Sequence, residues 1–158
     1  MSLTPPSAAS ADAAADTSHG IVISVDAMGG DRGPSAVIGG LSDAAKKNPE
    51  IRFIVHGPKA ELEKLVSKRK ALRGRCDIRD AADVVSMDDK PSHVMRHGAG
   101  TSMHSAIEAV RNGEAEVCVS CGNTGALMAL SMVRLRNVEG VERCSRDNGG
   151  RQRPCTAV

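Results

Sequence analysis

The chain has 158 residues, of which 41% are hydrophobic and 25% are charged, and this composition indicates a globular chain of about one domain. Phe53 is the only aromatic residue, which argues against a single-stranded nucleic-acid binder because such proteins stack bases on aromatic rings. The net charge of +2 points to no particular partner. No apolar run approaches the roughly 20 residues that span a membrane.

The first 20 residues and the cysteines indicate in which cellular compartment the protein is expected. Residues 1–20 are mainly Ala, Ser, Pro, Asp and Thr, without the basic start and apolar centre of a signal peptide. The five cysteines are irregularly spaced, unlike the framework of a secreted disulfide-rich domain. We therefore expect a disordered leader over 1–20 and a reduced, cytoplasmic protein.

The first predicted strand is Ile21–Val25, whose near-continuous β-branched character suits a strand covered on both faces. A helix is predicted to begin near Pro34, because proline suits the first helical turn. It contains Gly39 and Gly40, each of which costs roughly 1 kcal/mol of helix propensity. Close packing onto the sheet is the expected compensation, and Asn48-Pro49 is expected to end the helix.

Two further strands and a helix follow. Ile51–Val55 is the second predicted strand, and a helix after Pro58 is expected to carry Leu62, Leu65, Val66 and Leu72 on one face. The charges on its other face are interpreted as a solvated surface. A weaker third strand is predicted near Cys76–Arg79.

The second half adds three helices and one strand. Helices are predicted over Ser92–His97, over Ser102–Arg111, and from about Ala126 to Arg136, with a buried strand at Val117–Val119. The resulting β-α-β-α-β-α-α-β-α order predicts an α/β protein with a mostly parallel sheet and right-handed crossovers. Residues 137–158 lack an apolar period and are expected to form a disordered tail.

The stretch VCVSCGNTGALMAL, residues 117–130, contains a strand, a glycine-bounded turn and a helix. Ligands of open α/β sheets bind at the carboxyl ends of the strands, where a helix N-terminus favours anions. The Asn123 amide and the backbone N–H groups between Gly122 and Gly125 could serve an oxyanion or a phosphate. The alternative is a plain turn with Thr124 as the helix cap.

A second glycine turn, Asp26-Ala-Met-Gly-Gly-Asp31, follows the first strand. It places two carboxylates around Gly29 and Gly30. It matches neither a Walker P-loop nor a dinucleotide-binding G-x-G-x-x-G motif. The alternative is a tight turn whose acidic side chains cap backbone N–H groups.

A third candidate is RHGAGTSMHS, residues 96–105. Arg96 offers a forked donor suited to phosphate, and the glycines allow close approach of the backbone. Thr101 and Ser102 offer hydroxyl groups at a helix N-terminus. Alone this signal is weak, because helix capping would also explain the hydroxyl residues.

A zinc site is the interpretation we reject. His93 and His97, together with Cys118 and Cys121, have spacings that resemble zinc ligands. However, Cys118 lies within a predicted buried strand, where cysteine commonly acts as a small hydrophobic residue. A redox Cys-x-x-Cys is disfavoured for the same reason, since it prefers a helix N-terminus.

Three segments together resemble the PlsX family, the phosphate acyltransferases of bacterial phospholipid synthesis: VDAMGGDRGPSAV, KPSHVMR and RHGAGTSMHSAIEAVRNGEAEVCVSCGNTGALMAL. The resemblance runs from about Ile21 to Arg143. It implies a Rossmann-like three-layer α/β/α fold, related to phosphate acetyltransferases and incomplete in this chain. It also implies transfer of a fatty acyl group from acyl carrier protein to inorganic phosphate, giving an acyl phosphate for phospholipid synthesis.

The local chemistry fits that implied reaction. A thioester has a thiolate leaving group and phosphate is largely dianionic near neutrality, so positioning matters more than a strong base. No Ser-His-Asp or Cys-His set argues for an acyl-enzyme. With the resemblance, Asn123 and Thr124 become the candidate catalytic residues. The candidate phosphate- and substrate-binding residues are Asp26, Gly29, Gly30, Asp31, Arg96, Ser102, Gly122 and Gly125.

The resemblance also implies partners. These are acyl carrier protein, inorganic phosphate and a second copy in a homodimer, with peripheral association at the inner membrane face. We expect no cofactor, no metal and no nucleic acid. Two alternatives stay open: a related short-chain phosphate acyltransferase, and a non-catalytic phosphate-binding α/β domain.

Two departures from the family pattern are present. Cys121 stands where the family more usually has a small residue such as Ala. The resemblance stops near Arg143, and we interpret the change at Cys144 as a frameshift or truncation. We therefore expect residues 21–136 to be the N-terminal part of the enzyme domain, residues 137–158 to be aberrant, and the 158-residue chain to be poorly stable and inactive.

Overall fold

The structure, a computed structural model, describes residues 20–136. Within this range four strands alternate with five α-helices, in the order that the sequence predicts. The elements are β1 (Val22–Asp26), α1 (Gly33–Lys47), β2 (Arg52–Gly57), α2 (Lys59–Ser67), β3 (Cys76–Asp80), α3 (Pro91–His97), α4 (Ser102–Arg111), β4 (Val117–Ser120) and α5 (Thr124–Arg134). A short 3-10 turn, Lys70–Leu72, lies between α2 and β3.

The four strands form one parallel sheet with the order β3-β2-β1-β4. After β3 the chain crosses back to the far side of β1, so the strand order reverses between β1 and β4. In open α/β sheets this switch point opens a crevice at the carboxyl ends of the strands. Asp26 pairs there with His56 of β2 on one side and with Ser120 of β4 on the other.

Helices cover both faces of the sheet, which confirms the predicted α/β architecture. Alternate residues of a strand point to opposite faces. Val25 belongs to a core cluster with residues of α1 and α2, whereas the neighbouring Ser24 donates a hydrogen bond to the Ala106 carbonyl of α4. The first cluster is Val25, Ala27, Ile38, Ala45, Phe53, Val55, Leu62 and Leu72; the second is Val85, Val94, Met103, Ile107, Ala126 and Leu130.

Two details of the helices differ from the sequence-based expectation. The compensation expected for Gly40 is wrong, because no atom lies within 4 Å of a Cβ built there, and at Gly39 only an Arg69 side-chain atom lies that near. The helix after Pro58 is also shorter than predicted. It ends at Ser67, and Leu72 reaches the core from the separate 3-10 turn.

The segment between β3 and α3 is mostly irregular, but it is tied to α4. Asp83 forms an isolated bridge with Thr101, and Ser102 N donates to the Asp83 carbonyl at 2.9 Å. Val85 is buried in the second core cluster. None of the helices within residues 20–136 is long and apolar enough to cross a membrane. The expectations for residues 1–19 and 137–158 lie outside the described residues.

Candidate functional site

The two glycine turns that the sequence singles out lie in direct contact. A Cβ built on Gly29 would be 2.6 Å from the Gly122 nitrogen and 2.8 Å from Ser120 Oγ. A Cβ on Gly30 would be 3.0 Å from Cys121 Cβ, and Gly30 has a φ of +100°, which side chains rarely adopt. The turn after β1 can therefore approach the turn after β4 this closely only because positions 29 and 30 are both glycine.

A chain of hydrogen bonds joins the same turns. Gly122 N donates to Ser120 Oγ at 3.1 Å, and Ser120 Oγ donates to Asp26 Oδ2 at 2.8 Å. The other carboxylate oxygen of Asp26 accepts from Met28 N at 3.1 Å, within its own turn. Asp26 is only 2% exposed. Its carboxylate therefore holds the two turns together, because it accepts a hydrogen bond from each of them.

Ser120 is a residue that the motif search did not select. The signal that could have found it is strand register: Ser120 and Asp26 end neighbouring parallel strands and are direct Cα partners. Because paired residues of parallel strands point to the same face, their side chains meet. The partner strand cannot be chosen from one sequence alone, so the pairing required the structure.

A cavity of about 460 Å³ opens at the turn after β1. Its polar end contains four of the predicted site residues, and Cys121 also lines it. The four are Asp26, Gly29, Gly30 and Asp31. Its apolar wall includes Val37 and Leu41 of α1 and Val119 of β4. The candidate catalytic residues Asn123 and Thr124 are not among its lining residues.

The N-terminus of α5 is capped by Asn123, so the alternative in which Thr124 is the cap is wrong. Asn123 Oδ1 accepts from Ala126 N at 3.0 Å. Within residues 20–136, the N–H groups of Thr124 and Gly125 donate no hydrogen bond. These two donors and the positive end of the helix dipole could together stabilise an anion.

The side-chain nitrogen of Asn123 is not free in this structure. It donates to the carbonyl oxygens of Ser86, Met87 and Asp89 at 3.2, 3.2 and 2.9 Å. Asn123 is 8% exposed. A direct contact between this amide and a substrate stays a prediction.

Arg96 and Ser102 occupy different surroundings. Arg96 is exposed on α3 and makes no ion pair with a described residue. Ser102 is the first residue of α4 after the cap Thr101, is 1% exposed, and its hydroxyl has no hydrogen-bond partner within residues 20–136. The start of α4 is close to the crevice, since Met103 Cε would lie 3.4 Å from a Cβ on Gly122.

Comparison with known proteins gives the family. A model of fatty acid synthesis proteins matches residues 21–146. The chain belongs to this family. The phosphate acyltransferase of Paracoccus denitrificans is 69% identical over 124 residues, which are 78% of this chain and 34% of that protein.

Other relatives carry the same name. The phosphate acyltransferase of Dinoroseobacter shibae is 70% identical over 124 residues, 78% of this chain and 32% of that protein. That of Jannaschia sp. is 61% identical over 132 residues, 84% of this chain and 35% of that protein. The chain thus spans about a third of the length of these relatives, and the resemblance noted in the sequence is confirmed at the level of the family.

This family member also has a buried polar cluster that sequence reasoning missed. Ser24 Oγ lies 2.9 Å from His56 Nε2 and donates its hydrogen to the Ala106 carbonyl at 2.8 Å. A hydroxyl has one hydrogen, so His56 Nε2–H must donate to Ser24. In the neutral ring, His56 Nδ1, 2.8 Å from Ser105 Oγ, is then the acceptor. The cluster fastens α4 to β1 and β2 just below the crevice.

Burial keeps His56 in its neutral form. Desolvation, reinforced by the charge of Arg79, lowers the pKa of His56 to about 4, against the opposing effect of Asp26 and Glu114. The ring is 1% exposed. His56 is therefore uncharged near neutral pH and acts as a fixed hydrogen-bonding link.

Cys118 packs as a small core residue rather than acting as a ligand, whereas Cys121 is exposed. The prediction that the strand around Cys118 is buried is wrong, because Val117 and Val119 are 42% and 43% exposed. Burial, followed by the charge of Asp26, raises the pKa of the Cys118 thiol to about 11, which disfavours the thiolate that zinc binding or redox chemistry needs. Cys118 packs against the cluster formed by α3, α4 and α5. Among the described residues no group of three or more His, Cys, Asp or Glu side chains is arranged to hold a metal ion.

Proposed function

We propose that this chain carries the phosphate-binding part of an enzyme that transfers a fatty acyl group from acyl carrier protein to inorganic phosphate. The product is an acyl phosphate, which is consumed in phospholipid synthesis. The observation that carries the proposal is the convergence of the turns after β1 and β4 beside the uncapped N–H groups of α5. The name of the relatives, phosphate acyltransferase, supports the same reaction class.

The proposed reaction needs few protein groups. A phosphate oxygen attacks the thioester carbonyl, a tetrahedral oxyanion forms, and the C–S bond breaks to release the carrier thiolate. A thiol has a pKa of about 8.5 and leaves readily, so the main tasks are to position phosphate and to stabilise the oxyanion. Two backbone N–H groups at the end of a helix dipole suit both tasks.

The residues divide into four proposed roles. Thr124 contacts the phosphate or the oxyanion through its N–H and hydroxyl groups, with Asn123 beside it. Gly122 and Gly125 leave room for that approach. Arg96 and Ser102 supply further donors, from α3 and from the start of α4. Asp26, Gly29, Gly30 and Asp31 form the opposite wall.

The test is formation of acyl phosphate from acyl carrier protein loaded with a fatty acyl group, trapped with hydroxylamine as the hydroxamate. We propose to assay this chain and, in parallel, the full-length phosphate acyltransferase of Paracoccus denitrificans, with Thr124→Pro at the aligned position. Proline at N1 fits the helix but removes the Thr124 N–H and hydroxyl. We expect activity of the full-length enzyme to fall at least tenfold, and undiminished acyl phosphate formation would contradict the proposal.

The assay also separates the alternatives. Turnover of short-chain acyl-coenzyme A in preference to acyl carrier protein would favour a short-chain phosphate acyltransferase. Binding of phosphate by this chain without turnover by the full-length enzyme would favour a binding domain. We also propose a homodimer, at the inner membrane face of the cytoplasm, for the full-length proteins. Light scattering and flotation with anionic vesicles would test these two points.

A further inference from the structure

Asn123 binds three backbone carbonyl groups of one short loop. Its amide carries only two hydrogens, so the carbonyls of Ser86, Met87 and Asp89, at 3.2, 3.2 and 2.9 Å, must share them. The loop lies 34 to 37 residues earlier in the chain. The same side chain caps α5 through Oδ1. Asn123 therefore caps a helix with its side-chain oxygen and binds a distant loop with its side-chain nitrogen.

The loop has little else to hold it in place. Residues 86–88 are exposed, and the nearest buried side chain before them is Val85. Inside the loop, Ser86 N donates to Asp89 Oδ2 at 2.8 Å and Asp89 N donates to the Ser86 carbonyl at 3.2 Å. These bonds shape the loop but do not attach it to the sheet or to α5. Among the hydrogen bonds of residues 20–136, those from the Asn123 amide make that attachment.

The loop leads directly into α3, which packs against α5. At the junction the two helix starts are close, since a Cβ built on Gly125 would lie 3.1 Å from Pro91 Cγ. Arg96 lies on α3, one turn and a half beyond Pro91. Loop 86–90 thus joins the start of the helix that carries Arg96 to the N-terminus of α5, beside the packing of Val94 against α5.

We propose that Asn123 is a positioning residue, which fastens loop 86–90 and the start of α3 to the N-terminus of α5. It acts on the substrate through the placement of Arg96 and of the free N–H groups. This catalytic consequence rests on the proposed function, whereas the fastening itself does not. If the Asn123 amide instead donated to the substrate, removing it would not change the position of the loop.

The substitution that separates the two atoms of Asn123 is Asn123→Asp. A carboxylate keeps an oxygen for Ala126 N–H and suits a helix N-terminus, but it turns a second oxygen toward three carbonyl oxygens. Asn123→Ala removes both functions. Met87→Ala is the matched control, because the loop is held by its main-chain carbonyl and the Met87 side chain is 55% exposed.

Amide hydrogen exchange on this chain is the first measurement, and it needs no substrate. We expect Asn123→Asp to speed exchange of the hydrogen-bonded amides of the loop, those of Ser86, Asp88 and Asp89, at least tenfold while Ala126 keeps its protection. Asn123→Ala should expose both segments, and Met87→Ala neither. Unchanged exchange of residues 86–90 in Asn123→Asp would overturn the proposal.

The second measurement uses the full-length phosphate acyltransferase of Paracoccus denitrificans, with the same substitutions at the aligned positions. It keeps the proposal testable if a variant of the 158-residue chain does not fold. If Asn123 positions Arg96, the effects of substituting the two residues should not be independent. Asn123→Asp and Arg96→Ala should each reduce kcat/KM for phosphate at least tenfold, and the double variant should lose little more than either. Multiplicative losses would contradict action through Arg96, even where the exchange result holds.

Discussion

Gly29 is the most sterically restricted residue of the crevice. The atoms nearest to its missing Cβ are a backbone nitrogen, a hydroxyl and a carboxylate oxygen, at 2.6, 2.8 and 3.0 Å. Gly29→Ala must therefore push the two turns apart. We expect a loss of about 1–3 kcal/mol in the free energy of unfolding, measured by urea denaturation.

Gly40→Ala is the control for that measurement, since it makes the same chemical change where no atom lies within 4 Å. Gly40 lies inside α1, so alanine should stabilise the chain by about 0.5–1 kcal/mol. If both substitutions shift stability in the same direction, the close approach of the turns is not what restricts position 29.

Ser120 links the turns by accepting from one and donating to the other. Ser120→Ala leaves Asp26 Oδ2 buried without the Ser120 donor and removes the acceptor of Gly122 N–H. We expect a loss of about 1–3 kcal/mol in unfolding free energy. Ser67→Ala, which removes an exposed hydroxyl bonded only to the Lys64 carbonyl, should change stability by no more than about 0.5 kcal/mol. Equal losses of stability in Ser120→Ala and Ser67→Ala would contradict a stabilising role of this link.

His56 makes stability depend on pH. Its pKa is lowered to about 4 by burial in the folded chain, against a reference value of 6.5. Its stabilising contribution is therefore complete above about pH 6.5 and is lost as the pH falls toward 4. In that window one such group gives a slope approaching about 1.4 kcal/mol per pH unit.

His56→Gln, which keeps a donor but does not titrate, isolates this contribution in urea denaturation between pH 7 and 4.5. The variant should show a flatter dependence than the parent chain. His104, whose pKa is also lowered by burial and by Arg134, accounts for part of the slope that remains. Identical slopes in the two proteins would show that His56 is not buried neutral.

At the scale of the elements, hydrophobic periodicity and turn residues were sufficient to predict the four strands and the order of the helices. Both glycine turns could be placed at the crevice because they follow strands that are mostly apolar. The contacts of Asn123 could not be predicted, because its partners are main-chain carbonyls with no residue-type signature. His56 and Ser24 were missed for a related reason: each is unremarkable alone, and only the register of β1 and β2 brings them together.

At the scale of the whole molecule, the two edges of the sheet formed by residues 20–136 differ. The edge strand β3 carries Asp77, Arg79 and Asp80, and such charges discourage pairing with another chain. The other edge, β4, has the uncharged sequence VCVS, and Val117 and Val119 are 42% and 43% exposed. We therefore expect self-association through β4.

Val119→Lys tests this expectation by static light scattering over a concentration series. A charge on the edge strand should lower the apparent molecular mass at high concentration. Val133→Lys is the control, since Val133 is 54% exposed but lies on α5, away from the sheet edge. Equal effects of the two lysines would indicate general solubilisation rather than pairing along β4.

The hydrogen bond between Ser120 and Asp26 joins residues 94 positions apart. During synthesis on the ribosome the turn after β1 emerges long before β4, so for most of that time Asp26 has no Ser120 to bind. Closing a loop of this length costs entropy before any contact repays it, which makes such pairings slow. The crevice should therefore be the last part of the sheet to mature, and its order of appearance should be visible in pulse-labelled refolding as late protection at β4.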